Sequence, residues 1–236
     1  MHRNSTTVRT NSRQYDRSCY DVNMINGTLN QRARAPRRPR ADGERTRAAI
    51  LHAAASLATV EGLEGLSIGH LAATIGMSKS GLYAHFGSKE ELQLATIDAA
   101  SRIFVREVID PGRDEKGVAR LEALGEMFLS YVDRRVFPGG CFFAAAQAEF
   151  DTHSGPVKEK LAEAHRSWLG YLERKVREAQ EQGEISADED PAQLVFELKA
   201  MLAMANSVFV LQGDQEALDR AWRGYRSRLA MASTRQ

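Results

Sequence analysis

Residues 76–92 read GMSKSGLYAHFGSKEEL, and this stretch decides how the fold is interpreted. Gly76 follows one short apolar repeat, and Ser78 precedes another in which Leu82 and Phe86 are four residues apart. A glycine and a serine between two such repeats are typical of a helix end followed by a helix N-cap. The stretch therefore predicts two short helices joined by a tight turn, which are the dimensions of a helix-turn-helix.

Helical spacing continues on both sides of this stretch. On its N-terminal side, a first helix is expected from Arg45 to Gly62, and Ser67 offers the N-cap of a second, short helix. On its C-terminal side, Ser-Lys-Glu-Glu at residues 88–91 is a capping box that begins a fourth helix, reaching about Val108. The pattern therefore predicts three short helices followed by one long connecting helix.

The helices predicted beyond Gly117 are longer. Apolar stripes predict one helix that ends at Pro138, a shorter one over residues 141–150, and a long amphipathic one over Val157–Gln182. The segment Asp190–Leu211 is apolar almost all round. We therefore expect this segment and the last helix to pack against a second copy of the chain, with burial inside one subunit as the alternative.

Length and composition favour an all-α protein with two domains. The 236 residues are rich in alanine, leucine, glutamate and arginine, and strand-like alternation is missing from the sequence. Two cysteines, Cys19 and Cys141, cannot form a disulfide framework, which fits a reducing cytoplasm. The longest apolar run, Leu194–Leu211, contains Glu197 and Lys199, so we expect a buried helix and no membrane span.

The N-terminal segment is basic. The whole chain has a net charge of +1, so affinity for nucleic acid has to come from local clusters, and residues 31–47 contain seven arginines. We expect residues 1–42 to be disordered, with Pro36 and Pro39 preventing a helix. The arginines are interpreted either as a solvated tail or as an arm that contacts DNA phosphates or the minor groove. Met24 is an alternative start of the natural protein.

The predicted third helix has one face suited to DNA. If Leu82 and Phe86 face the core, the opposite side and the N-terminal turn carry short or basic side chains that could approach base edges. A hydroxyl, an imidazole and a lysine at the start of the fourth helix suit phosphate oxygens. These candidate contacts are Lys79, Ser80 and Gly81 for bases, and Tyr83, His85 and Lys89 for phosphates.

The sequence GLEGLSIGHLAATIGMSKSGLYAHFGSKEELQLAT, residues 62–96, closely resembles the DNA-binding domain of the tetracycline-repressor (TetR) family of bacterial regulators. The resemblance spans about residues 45–95 and includes the Leu-Tyr-x-His-Phe and Ser-Lys-Glu-x-Leu signatures. It implies the same DNA contacts and adds Ser67 as a phosphate contact. Gly69 departs from the pattern, because some members have a long polar side chain near this position that reads a base; such a departure favours reading of DNA shape.

The resemblance also implies an architecture. An N-terminal three-helix helix-turn-helix DNA-binding domain, residues 43–95, is joined by a long helix to a C-terminal helical ligand-binding and dimerisation bundle, residues 96–236. The family dimerises through its last two helices, encloses a ligand cavity, and changes the spacing of its two recognition helices when ligand binds. The implied partners are a double-stranded DNA operator, a second copy of the chain and a small-molecule effector, and repression is the default mode of regulation.

Aromatic and methionine side chains at helical spacing are the candidates for the ligand cavity. They suit a hydrophobic or aromatic effector, although each could instead be an ordinary core residue. The candidates are Met127, Phe128, Tyr131, Phe142, Phe143, Phe150, Trp168, Tyr171, Met201 and Met204.

Two other classes of protein are alternatives to a DNA-binding regulator. An enzyme would need a site such as Cys141 with His153 or His165 and Glu149, but no catalytic, cofactor or metal motif supports it. A helical dimer that binds partner proteins without specific DNA binding is the second alternative. Cys141 itself is interpreted either as an oxidant sensor with a lowered pKa or as a small buried residue.

Overall fold

The computed structural model describes residues 39–234, and these confirm the all-α prediction, with one isolated β-bridge between Ile185 and Ser233. Predictions for residues 1–38, including Cys19, a start at Met24 and most of the basic arm, lie outside the described residues. The α-helices of the described part are α1 (Pro39–Glu61), α2 (Ile68–Ile75), α3 (Lys79–Tyr83), α4 (Lys89–Phe104), α5 (Gly117–Asp133), α6 (Phe142–Phe150), α7 (Pro156–Glu181), α8 (Pro191–Gln212) and α9 (Glu216–Ala232).

Serine hydroxyls cap the helices of the helix-turn-helix, as the sequence predicts. Ser67 accepts a hydrogen bond from the amide of His70 at 3.2 Å, and Ser78 accepts one from Gly81 at 3.1 Å. Ser88 accepts one of 3.1 Å from the amide at position 91 and begins α4. Each cap satisfies an amide that lacks a partner within its helix, so the starts of α2, α3 and α4 are fixed locally.

The first helix begins earlier than predicted. It starts at Pro39 and not at Arg45, so the expectation that Pro39 prevents a helix was wrong. Proline is compatible with the first helical position, because the amide that it lacks has no helical partner there. Pro39 therefore marks the start of a helix and does not break one.

The connecting helix ends in a π-helical turn, Val105–Ile109. Arg120 on α5, whose side chain is buried, donates to the carbonyl oxygens of Ile109 at 2.6 Å and Pro111 at 2.9 Å. The same guanidinium donates to the hydroxyl of Tyr171 on α7 at 2.8 Å. Arg120 therefore joins the end of the connecting helix to two helices of the C-terminal bundle.

The last two helices close the bundle. The inner face of α8 is buried through Leu194, Leu198 and Leu202, and the Tyr225 hydroxyl of α9 donates to the carbonyl of Leu121 at 2.8 Å. Within the described residues, α8 is the one helix long and apolar enough to cross a membrane, with a mean hydropathy of 1.7. The inner face of α8 is apolar because it packs against the other helices of the bundle.

Candidate DNA-binding surface and ligand cavity

Helix α3 is oriented as its sequence predicts. Leu82 and Phe86 are buried in the core of the helix-turn-helix, whereas Lys79, Ser80 and Ala84 are exposed. Gly81 is half-buried beside them. The short side chains on the exposed side leave the backbone of α3 free to approach a DNA groove.

The side chain of Lys79 lies beside Gly69, the position at which this chain departs from the family pattern. A Cβ atom built on Gly69 of α2 would be 3.8 Å from Cε of Lys79, and the Lys79 ammonium is 5.9 Å from the centre of the Tyr83 ring. Tyr83 is itself 48% exposed. A Cβ at position 69 would therefore be in ordinary van der Waals contact with Lys79 of α3.

The predicted phosphate contacts at Ser67 and Lys89 are accessible. The Ser67 oxygen accepts the capping bond, so its hydroxyl proton can still be donated to a phosphate. The Lys89 ammonium lies 2.9 Å from a carboxylate oxygen of Glu64, and this hydrogen bond holds the pKa of Glu64 below its usual range. Both side chains of this ion pair are about half exposed, so a DNA phosphate can compete for Lys89.

Arg47 has a role that the sequence did not reveal. Its guanidinium is 4.4 Å from the centre of the Phe86 ring, and Nη1 donates to the backbone carbonyl of His85 at 2.6 Å. His85 is half-buried at this contact. In the sequence, Arg47 belongs to the arginine-rich segment 31–47. In the structure, its side chain connects α1 to the turn that follows α3.

A cavity of about 570 Å³ lies between α4, α6, α7 and α8. Its aromatic wall contains Phe104, which the sequence did not single out; its ring centre is 5.1 Å from that of Trp168 and 5.9 Å from that of Phe143. The volume lies in the range of small-molecule sites, about 300–1,000 Å³. Four of the ten predicted ligand residues line the cavity: Phe128, Phe143, Trp168 and Tyr171.

The other six predicted ligand residues do not line this cavity. Tyr131, Phe142 and Phe150 are buried in the core, where Tyr131 packs against Phe104. Met204 is 65% exposed on the outer side of α8. Met201 packs beside Gly224 of α9, and Met127 is half-buried on α5. Helical periodicity marks an apolar side but does not distinguish a cavity wall from the filled core.

The cavity wall also contains polar side chains, which the prediction of a purely apolar site omitted. Asp98 of α4 pairs with Lys160 of α7 at 2.7 Å. Burial lowers the pKa of His165 and of Lys199, and the neighbouring Lys199 lowers that of His165 further. The remaining charged members are Glu163 and Arg174. Within the described residues, no group of side chains could hold a metal ion.

Cys141 is a buried free thiol in the cavity wall. Burial raises its pKa, which is the reverse of the change an oxidant-sensing thiol requires. The interpretation of Cys141 as a small buried residue is therefore the one that fits. Glu149, the orienting group of the hypothetical catalytic site, has its carboxylate hydrogen-bonded to backbone amides of the helix-turn-helix.

Glu149 joins α6 to the helix-turn-helix. Its carboxylate oxygens accept hydrogen bonds from the amides of Leu63 at 2.7 Å and Glu64 at 3.0 Å, in the turn before α2. Gly62, at φ +88°, makes room for this approach, because a Cβ atom there would lie 2.6 Å from the Glu149 carboxylate. At the other end of α6, the amide of Gly139 donates to the hydroxyl of Thr59 at 3.1 Å. Because Phe143 and Gln147 of α6 line the cavity, one helix contacts both regions.

The fold and these two regions define a helix-turn-helix protein with a cavity between its C-terminal helices. The sequence profile described as bacterial regulatory proteins of the tetR family matches residues 50–96, and that of the tetracyclin repressor-like C-terminal domain matches residues 117–225. Together they span about two thirds of the chain. The chain belongs to the TetR family, whose members are DNA-binding transcriptional regulators and not enzymes.

Solved structures share this fold. A TetR regulator from Chloroflexus aurantiacus is 25% identical with a TM-score of 0.76, covering 82% of this chain and 98% of that one. AibR, solved with isovaleryl coenzyme A and operator DNA, is 26% identical with a TM-score of 0.62, covering 78% and 97%. A regulator from Saccharomonospora viridis, solved with choline, is 19% identical with a TM-score of 0.66, covering 82% and 100%. A search of curated proteins finds no match.

Proposed function

We propose that the protein is a cytoplasmic repressor that binds a palindromic operator as a homodimer and releases it when a small-molecule effector fills the cavity. In this proposal, residues 43–95 form the DNA-binding domain, and residues 96–236 form the ligand-binding and dimerisation domain. Repression occurs through an operator that overlaps a site used by RNA polymerase.

The observation that carries the proposal is the placement of α6. Phe143 and Gln147 contact the cavity, and Glu149 at the far end of the same nine-residue helix holds the amides of Leu63 and Glu64. A ligand that displaces α6 therefore changes the position of the turn from which α2 begins. Small shifts in such packed elements are passed on because tightly packed interiors do not deform continuously.

The outer side of α8 supports a homodimer. Phe196, Met204 and Leu211 are 69%, 65% and 78% exposed, and their spacing places them on one side of the helix. Met231 of α9 is 77% exposed. Apolar side chains this exposed along one side of a helix favour an interface, and a two-fold symmetric dimer is the commonest arrangement. The two copies of α3 would then read half-sites roughly 34–36 Å apart.

The DNA contacts are proposed residue by residue. Lys79, Ser80 and Gly81 approach base edges in the major groove, where the exposed Lys79 has the donors for a guanine. The hydroxyl, imidazole and ammonium groups around them hold phosphates and set the register on the duplex. These phosphate contacts are Ser67, Tyr83, His85 and Lys89.

The effector is proposed to be a small molecule with a hydrophobic or aromatic body. Five aromatic side chains in the wall supply apolar contact area: Phe104, Phe128, Phe143, Trp168 and Tyr171. AibR, a relative solved with both an acyl coenzyme A and operator DNA, supports a family mechanism in which one molecule binds both ligands.

Selection of genomic fragments with the purified protein at two salt concentrations tests this function. We expect recovery of a palindrome whose binding weakens at the higher salt concentration. Uniform, weak recovery of all fragments would contradict specific operator binding and would favour the alternative, a helical dimer that binds partner proteins. Family membership argues against that alternative.

A further inference from the structure

Lys199 is a cation in the cavity wall whose charge is not balanced by a neighbouring carboxylate. It lies on α8, is half-buried, and lines the cavity together with Leu202 and Ala203. Within residues 39–234, Lys199 forms no ion pair, and the groups that interact with it electrostatically are the Cys141 thiol and His165, neither of which is an anion in this environment. Partial burial of an ammonium without a counter-ion is unfavourable and lowers the pKa of Lys199, and a ligand that supplies a negative charge would remove this cost.

Three cations and two carboxylates line the cavity, so its wall carries a formal charge of +1, which comes from Lys199. Lys160, Arg174 and Lys199 are opposed by two carboxylates, Asp98 and Glu163. The Asp98 carboxylate is already engaged by Lys160 at 2.7 Å. The guanidinium of Arg174 stacks over the Tyr171 ring at 5.7 Å from its centre. An anion entering the cavity therefore meets Lys199 as an unsatisfied partner.

The apolar part of the wall lies beside this cation. Lys199 also borders a small void lined by Trp168, Leu172 and Leu202, so it lies where the aromatic wall meets the aliphatic core. A ligand with one charged end and an apolar body matches both surfaces at once. An aromatic wall alone would also suit a quaternary ammonium, but the excess of cations in this cavity opposes one.

We propose that the effector is an amphiphilic organic anion, whose anionic group pairs with the Lys199 ammonium and whose aliphatic or aromatic body lies against Phe104, Phe143 and Trp168. This inference rests on the proposed function, since it takes the cavity to be the effector site. In this inference, Lys199 is the residue that selects the charge of the ligand.

Calorimetric titration with ω-phenylalkanoates tests the proposal. The affinity of each carboxylate is compared with the affinities of the alcohol and of the trimethylammonium compound of the same chain length. We expect the carboxylate with the highest affinity to bind at least about tenfold tighter than its alcohol, because its carboxylate forms a desolvated, charge-assisted hydrogen bond with Lys199. Lys199→Met should reduce this preference to within about twofold, and Lys199→Arg should keep most of it. Lys158→Met is the matched control, since Lys158 lies on α7 outside the cavity wall and should leave the preference unchanged.

Three results would overturn the proposal. They are equal or tighter binding of the alcohol or ammonium compounds, an undiminished carboxylate preference in folded Lys199→Met, and failure of every carboxylate to bind. Thermal unfolding of each variant establishes that it is folded. Operator binding by the ligand-free protein is measured in parallel, so loss of the anion preference with intact operator binding would refute the ligand class and leave the DNA-binding function in place.

Discussion

The carboxylate of Glu149 on α6 accepts a hydrogen bond from the backbone amide of Leu63, a residue 86 positions earlier in the chain. This bond and its neighbour to Glu64 satisfy amides of the turn between α1 and α2. The helix-turn-helix therefore depends on a side chain from the C-terminal part for its own backbone hydrogen bonding. The same helix lines the cavity through Phe143 and Gln147, so α6 contacts both the cavity and the helix-turn-helix.

Removing this carboxylate should loosen the turn. Glu149→Ala leaves the amides of Leu63 and Glu64 without their acceptor, so the free energy of unfolding should fall by about 1–3 kcal/mol. Urea unfolding measures the loss, and hydrogen exchange should accelerate at those two amides. Glu126→Ala, at an exposed position within α5, is the control and should change little. Equal stability of the two variants would contradict the role of Glu149.

Lys89→Ala should weaken DNA binding to a similar extent for all sequences. Loss of one phosphate contact should reduce the slope of log K against log salt by about 1. The stability of the protein should change by less than about 0.5 kcal/mol, because the ion pair with Glu64 is exposed. Mobility-shift titrations at several salt concentrations measure the slope, with Lys158→Ala as control. An unchanged slope would place Lys89 outside the DNA interface.

Two glycines of the helix-turn-helix should respond oppositely to alanine. Gly69 lies inside α2 with ordinary van der Waals space around its missing Cβ, so Gly69→Ala should stabilise by about 0.5–1 kcal/mol. Gly76 ends α2 at φ +68°, so Gly76→Ala should destabilise by about 1–2 kcal/mol. Chemical denaturation of both variants measures these changes. Destabilisation by Gly69→Ala would contradict the space found around this position.

A charge on the outer side of α8 should separate the proposed dimer. Phe196→Glu would place an unpaired carboxylate in the interface and should weaken association on the order of 100-fold. Sedimentation equilibrium measures the association. Val60→Glu is the matched control, because Val60 is also exposed, at 56%, but lies on α1. Dimers that persist in Phe196→Glu would move the interface to another surface.

The parts of the fold that follow local rules could be predicted from the sequence. Ser67, Ser78 and Ser88 each cap the amide three residues later, so their role depends on spacing alone. The buried side of α3 followed in the same way from Leu82 and Phe86. Pro39 was misread because the rule for proline depends on its position in a helix, and the sequence does not mark that position.

The site depends on contacts between distant residues, and these could not be predicted. Lys199 and Glu163 look like solvated charges in the sequence, yet they line the cavity. Phe142 and Phe143 are neighbours with the same chemistry, but only Phe143 lies in the cavity wall. No local pattern distinguishes Glu149 from any other helical glutamate. Such residues acquire their roles from packing between helices, which a single sequence does not encode by spacing.

The two tryptophans of the chain lie in different parts of the C-terminal bundle. Trp168 stacks on Tyr171 in the cavity wall, whereas Trp222 stacks on Tyr225 of α9. Indole fluorescence is sensitive to its surroundings, so the protein has one intrinsic optical probe for cavity occupancy and another for events at its last helix. Replacing either tryptophan by phenylalanine assigns the emission of the other, without an added dye.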